Sequence, residues 1–127
     1  MVKKLVAVFF LAALLMTLAG CVVQSAPAGG GNIITMGATT YDRDSITIKK
    51  GQTITFVDDK STGTMHILVI GKGQAETEKG APDLGANGIS FNAGDTKSTP
   101  PWNTPGTYYV TCIVHPTTMI LKVTVTP

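Results

Sequence analysis

From Asn32 onward the apolar residues of this chain fall into short runs in which they alternate with polar ones, and no stretch repeats them at a helical spacing. Ile46 and Ile48 alternate with Ser45, Thr47 and Lys49, and Ile54 and Phe56 with Thr53, Thr55 and Val57. A period of two sends successive side chains to opposite faces, so such runs read as half-buried strands. Candidate strands cover residues 33–38, 45–49, 53–57, 66–70, 89–92, 107–114 and 120–126. Seven strands in under 100 residues predict an all-β protein, an antiparallel Greek-key β-sandwich of about seven to eight strands.

The punctuation between the runs supports this reading. Lys50-Gly51 reads as a hairpin-type break between the second and third strands. Residues 71–88 are polar and interrupted by glycine, too long for a plain hairpin loop, and are expected to form a surface excursion. Residues 99–106 are a proline-rich turn in which Trp102 reads as a turn or core residue. Alternation after that turn puts Tyr108, Val110 and Cys112 on one face, so Cys112 should end an inward row. Asp58, Asp59 and Lys60 read as a solvated turn.

The N-terminus is of another kind. Lys3 and Lys4 precede an almost unbroken apolar run over 5–18 that ends at small residues, the pattern of an export signal. The run is shorter than the roughly 20 residues of a membrane span. Its end, Leu18-Ala19-Gly20-Cys21, resembles the lipobox of bacterial lipoproteins. That resemblance implies cleavage before Cys21, lipidation of Cys21, and anchoring by more than one acyl chain, as stable anchoring requires. The expected division is a lipoprotein signal peptide over 1–20, an acylated cysteine and flexible tether over 21–31, and one folded domain over 32–127. The protein is then exported and lipid-anchored on the extracytoplasmic face of a membrane.

Charge excludes one class of function. Of ten basic residues, Lys3 and Lys4 leave with the signal, so eight remain against eight acidic ones. A formally neutral domain has no basic face for nucleic acid. With Cys21 taken by lipid, Cys112 is the one thiol left and cannot enter an intrachain disulfide. An unpaired cysteine in an oxidising compartment is a liability unless buried or bound.

Chemistry concentrates in one loop. Cys112, His115 and Met119 place a thiolate, an imidazole and a thioether within eight residues, the soft ligand set that favours copper over hard cations. The loop supplies one nitrogen, and His66 is the sole other histidine in the chain. In a sandwich, strand ends distant in sequence meet at one pole, so a histidine opening one strand can complete a loop that closes another. Zinc also takes a His-His-Cys set, but no glutamate stands at a general-base spacing, and a loop methionine is of no use to zinc. A binuclear copper site needs two cysteines, and a copper reductase needs a second copper and more histidines.

These residues resemble a cupredoxin, the type 1 blue copper family of plastocyanin, amicyanin and azurin. The likeness rests on His66 in Thr64-Met65-His66-Ile67, on Pro105-Gly106-Thr107-Tyr108 before the cysteine strand, and on C-x-x-H followed by methionine. It implies one type 1 copper per chain, with His66, Cys112 and His115 as equatorial ligands and Met119 as the axial one. It also implies one-electron transfer with redox protein partners of a respiratory or photosynthetic chain, through a surface patch of His115, Pro116 and Met65. The protein would be a monomeric carrier and not an enzyme. Two departures stand out: three residues separate His115 from Met119, and Ile67 follows the first histidine where many members carry asparagine. Two further readings stand beside the carrier: a copper-binding or copper-delivery lipoprotein with no electron-transfer role, and a metal-free sandwich used as an interaction module.

Overall fold

A computed structural model describes residues 31–72 and 78–127. Cys21, the leader over 1–20 and nearly all of the tether lie outside the described residues, as does the middle of the 71–88 excursion. Eight strands form two sheets: β1 (Ile33–Met36), β2 (Ser45–Lys49), β3 (Thr55–Asp58), β4 (His66–Ile70), β5 (Ile89–Phe91), β6 (Thr96–Ser98), β7 (Gly106–Cys112) and β8 (Ile120–Thr126). The smaller sheet runs β1-β3-β6 and the larger β2-β8-β7-β4-β5. The predicted all-β sandwich is thus present, with two parallel pairs beside the expected antiparallel ones. β1 lies parallel to β3, and β2 parallel to β8, while the remaining pairs are antiparallel.

The alternation in the sequence explains the core. Ile34, Met36 and Phe56 face inward from the smaller sheet, and Ile48, Leu68, Val110, Cys112, Leu121, Val123 and Val125 from the larger, forming one buried cluster. Tyr108, Val110 and Cys112 share the inward face of β7, as their spacing requires. Trp102 is a core residue, fully buried, with its indole N–H donating to Thr99 Oγ1 at 3.0 Å.

Three expectations need correction. Lys50-Gly51 is not a hairpin turn, because β2 pairs with β8 in one sheet while β3 pairs with β1 and β6 in the other. Both strands carry a buried row, so they pack across the core from each other. Gly51, at φ +85°, turns the chain between sheets, and its N–H donates to the Trp102 carbonyl at 2.7 Å.

A strand was also missing. β6 has every residue exposed, so Thr96, Lys97 and Ser98 show no apolar row to betray it. It is held through its backbone pairing with β3 and a 2.8 Å hydroxyl contact between Thr55 and Ser98.

The third correction bears on function. Asp58 is not in a solvated turn but ends β3 and is buried. It extends the inward row of Ile54 and Phe56 by one further alternation, so the strand itself carries a carboxylate into the interior. Asp59 is exposed and accepts a hydrogen bond from the Ser61 amide, which holds its carboxyl below the usual range.

Candidate metal centre

Strand register brings the site together. Leu68 of β4 pairs with Cys112 of β7, and His66 lies two residues earlier on the same inward face. β7 ends at Cys112, so the position opposite His66 falls to the loop that follows. That loop stays attached to β4 through the Ile113 amide, which donates to the Ile67 carbonyl at 2.9 Å. A residue opening one strand thereby meets a residue closing another, 46 positions away.

The loop is closed by its own backbone. The His115 amide donates to the Cys112 carbonyl at 3.2 Å, and the Met119 amide to the His115 carbonyl at 3.0 Å. The Cys112 amide donates in turn to the Met119 carbonyl at 3.0 Å. These bonds curl 112–119 so that the side chains of Cys112 and His115 point to one side. The Thr118 hydroxyl ties the outer edge to the Thr39 carbonyl at 2.6 Å.

Cys112 Sγ lies 3.7 Å from His66 Nδ1 and 3.9 Å from His115 Nδ1. The three candidate donor atoms fall within 4.8 Å of one another, and the imidazole centroids are 5.3 Å apart. His66 and Cys112 are fully buried, while His115 is half-buried at the surface end. Two nitrogens and one sulfur converging on a common point are a trigonal set, and a thiolate with two neutral imidazoles suits a soft or borderline metal. Burial lowers the proton affinity of His66, with His115 acting in the same direction and Asp58 opposing both. The imidazole is therefore neutral near pH 7, with a lone pair free to bind metal.

Met119 is fully buried beside Cys112, fixed there by the backbone bonds just described. Of the apolar residues next in sequence to the two histidines, Met65 is 50% exposed, Val114 44% exposed, and Pro116 is exposed as well. Cys112 is the free cysteine of the described residues and is shielded by its burial.

The sequence reading did not place Asp58, Thr62 and Thr64 at the site. Asp58 Oδ1 lies 3.6 Å from His66 Nε2, with both side chains buried. Thr64 Oγ1 is 3.2 Å from the same nitrogen. Burial pushes the Asp58 carboxyl above its ordinary range, with His66 and the Thr62 hydroxyl pulling it back. The signal available in the sequence was the Ile54-x-Phe56-x-Asp58 alternation.

Fold and donor set together define a copper-binding β-sandwich. The family described as copper binding proteins, plastocyanin/azurin family, matches residues 31–126, and the chain belongs to it. Copper is the metal that this membership and the His66, Cys112, His115 cluster support.

Solved amicyanin structures share the fold. A reduced amicyanin variant is 19% identical over 76% of this chain and 83% of that one, with a TM-score of 0.56. A second reduced variant is 22% identical, covering 78% of this chain and 85% of that one, with a TM-score of 0.57. An oxidised variant is 21% identical, covering 74% and 80%, with a TM-score of 0.56. No curated protein matches the chain.

Proposed function

We propose that this protein is a membrane-tethered, extracytoplasmic one-electron carrier built on a mononuclear type 1 copper site. The observation that carries the reading is the convergence of both histidines and the buried cysteine, with donor atoms within 4.8 Å of one another. Bound copper would supply a one-electron couple in a His₂Cys trigonal site with a weak axial thioether. His66 and His115 would supply the nitrogens that hold it, Cys112 the thiolate, and Met119 the weak thioether. Burial of His66, Cys112 and Met119 would keep water from a bound metal, while half-buried His115 leads outward.

The partner surface is the apolar ground around His115, formed by Met65, Val114 and Pro116. A small, mostly apolar contact suits brief encounters with redox proteins of a respiratory or photosynthetic chain. Such a carrier is a monomer and catalyses no reaction of its own. The leader over 1–20 directs export, Cys21 carries the lipid, and 21–31 tethers the domain over 32–127 to the membrane. Support for this part is the lipobox-like sequence alone.

The test is addition of Cu(II) to the purified protein. An intense blue colour bleached by a mild reductant is expected. A colourless or weakly coloured complex would instead favour copper binding or delivery without electron transfer, and absence of uptake a metal-free interaction module.

A further inference from the structure

Behind the buried histidine lies a ring of polar groups that metal ligation alone does not require. Starting at His66 Nε2, it passes to Thr64 Oγ1 at 3.2 Å, to Thr62 Oγ1 at 3.1 Å and to Asp58 Oδ1 at 3.5 Å, which lies 3.6 Å from the starting nitrogen. Donors can run one way round it. An N–H on Nε2 donates to Thr64, the Thr64 hydroxyl to Thr62, and the Thr62 hydroxyl to the Asp59 carbonyl at 2.9 Å, with the Asp58 carboxylate as the more distant acceptor at 3.5 Å. A carbonyl and a carboxylate both only accept, so together they set the direction of the whole chain.

Nδ1, on the opposite side of the imidazole, faces Cys112 Sγ at 3.7 Å. A hydrogen held on Nε2 leaves Nδ1 bare, as a metal ligand must be. Asp58 Oδ2 is buried and has no hydrogen-bond partner among the described residues. A buried carboxylate with an unpartnered oxygen is costly unless positive charge lies near. Copper held by His66, His115 and the Cys112 thiolate would bring that charge in its oxidised form, one unit more than in its reduced form.

We propose that Asp58 is a positioning residue of the centre: with Thr62 and Thr64 it holds His66 with Nε2 protonated and Nδ1 turned to the metal, and its buried charge favours the oxidised metal over the reduced. This rests on the copper reading above. The sign follows from Coulomb's law, since an anion stabilises Cu(II) by one more unit of charge than Cu(I) and so lowers the reduction potential.

Two measurements test it. Nitrogen-15 NMR of the metal-free protein is expected to show His66 as the Nε2–H tautomer, and an Nδ1–H tautomer overturns the proposal without reference to copper. In the copper-loaded protein, Asp58→Asn is expected to raise the midpoint potential, shifting the Cu(II)/Cu(I) ratio on the order of tenfold, or about 59 mV for one electron. Asp59→Asn, one residue away and exposed, is the control and is expected to leave the potential in place. An unchanged or lowered potential in Asp58→Asn overturns the proposal, as does an equal shift in the control. Should Asp58→Asn not fold, Thr62→Val combined with Thr64→Val cuts the ring and keeps the carboxylate. That double variant is expected to lower the Nε2–H population of His66, and a His66 spectrum unchanged from wild type overturns the ring. Wild-type protein that takes up no copper overturns the copper reading and the redox half of the proposal, while the tautomer measurement still reads the ring.

Discussion

The Cys112 amide donates to the Met119 carbonyl at 3.0 Å, so the two ends of the ligand loop are clasped by backbone and not by their side chains. Side-chain changes at either end should therefore leave the loop closed. Cys112→Ser is expected to abolish the blue colour with Cu(II) while the fold persists. Burying a hydroxyl where a thiol packed should cost roughly 1–3 kcal/mol. The visible spectrum and a urea titration of the same sample check both.

Met119→Leu separates a ligand from a packing residue. The side chain is fully buried, and leucine has nearly its volume, so a stability change under about 1.5 kcal/mol is expected. If the thioether is the axial ligand, the variant stays blue and its reduction potential rises. Complete loss of copper, or a potential equal to wild type, would contradict that role; voltammetry decides.

Gly88 sits just before β5 at φ +72°, pressed against β4. A Cβ there would run into the Leu68 carbonyl oxygen, and the left-handed backbone itself costs a non-glycine residue roughly 1–2 kcal/mol. Gly88→Ala is expected to lower stability by at least that much. Because Leu68 pairs with Cys112, its copper affinity should also fall, as read by competition with a chelator.

Metal-free protein should lose stability as pH falls from neutrality. His66 has a proton affinity below the ordinary histidine value, so the unfolded chain binds the proton more readily. Its contribution is full above the unfolded value near 6.5 and is lost as pH drops through the folded one. Asp58 runs the other way, its raised value favouring the fold in acid, a contribution lost as pH rises from the unfolded value near 3.8 through the folded one. Thermal unfolding of His66→Gln should therefore show a flatter pH dependence below the ordinary histidine value near 6.5.

The proposed partner surface near His115 can be tested without knowing the partner. Val114→Glu changes an exposed side chain and should alter stability by no more than about 0.5 kcal/mol. Electron self-exchange between two copies requires their patches to meet, and two like charges would then face each other. NMR line broadening in mixed oxidised and reduced samples should show a slower exchange, with the optical spectrum unchanged.

Much of this was legible in the residues. Alternation at Ile46 and Ile48, at Ile54 and Phe56, and along Tyr108, Val110 and Cys112 marks strands and their inward faces, because a strand's two faces are a property of its own consecutive residues. The soft donors were legible for a similar reason: Cys112, His115 and Met119 share one loop, and His66 is the sole other imidazole. The sequence by itself thus determined an all-β chain with a copper-type donor set.

Tertiary structure alone decided who pairs with whom. That β2 crosses to β8 and β3 to β1, both in parallel, rests on contacts between residues far apart, to which local spacing is blind. β6 earns its place from the open edge of β3 and has no apolar row of its own. Asp58 is the sharpest case, since charge argued for solvent while its place in the inward row of β3 carried it into the interior. Only when β3 and β4 are packed does that carboxylate stand 3.6 Å behind His66.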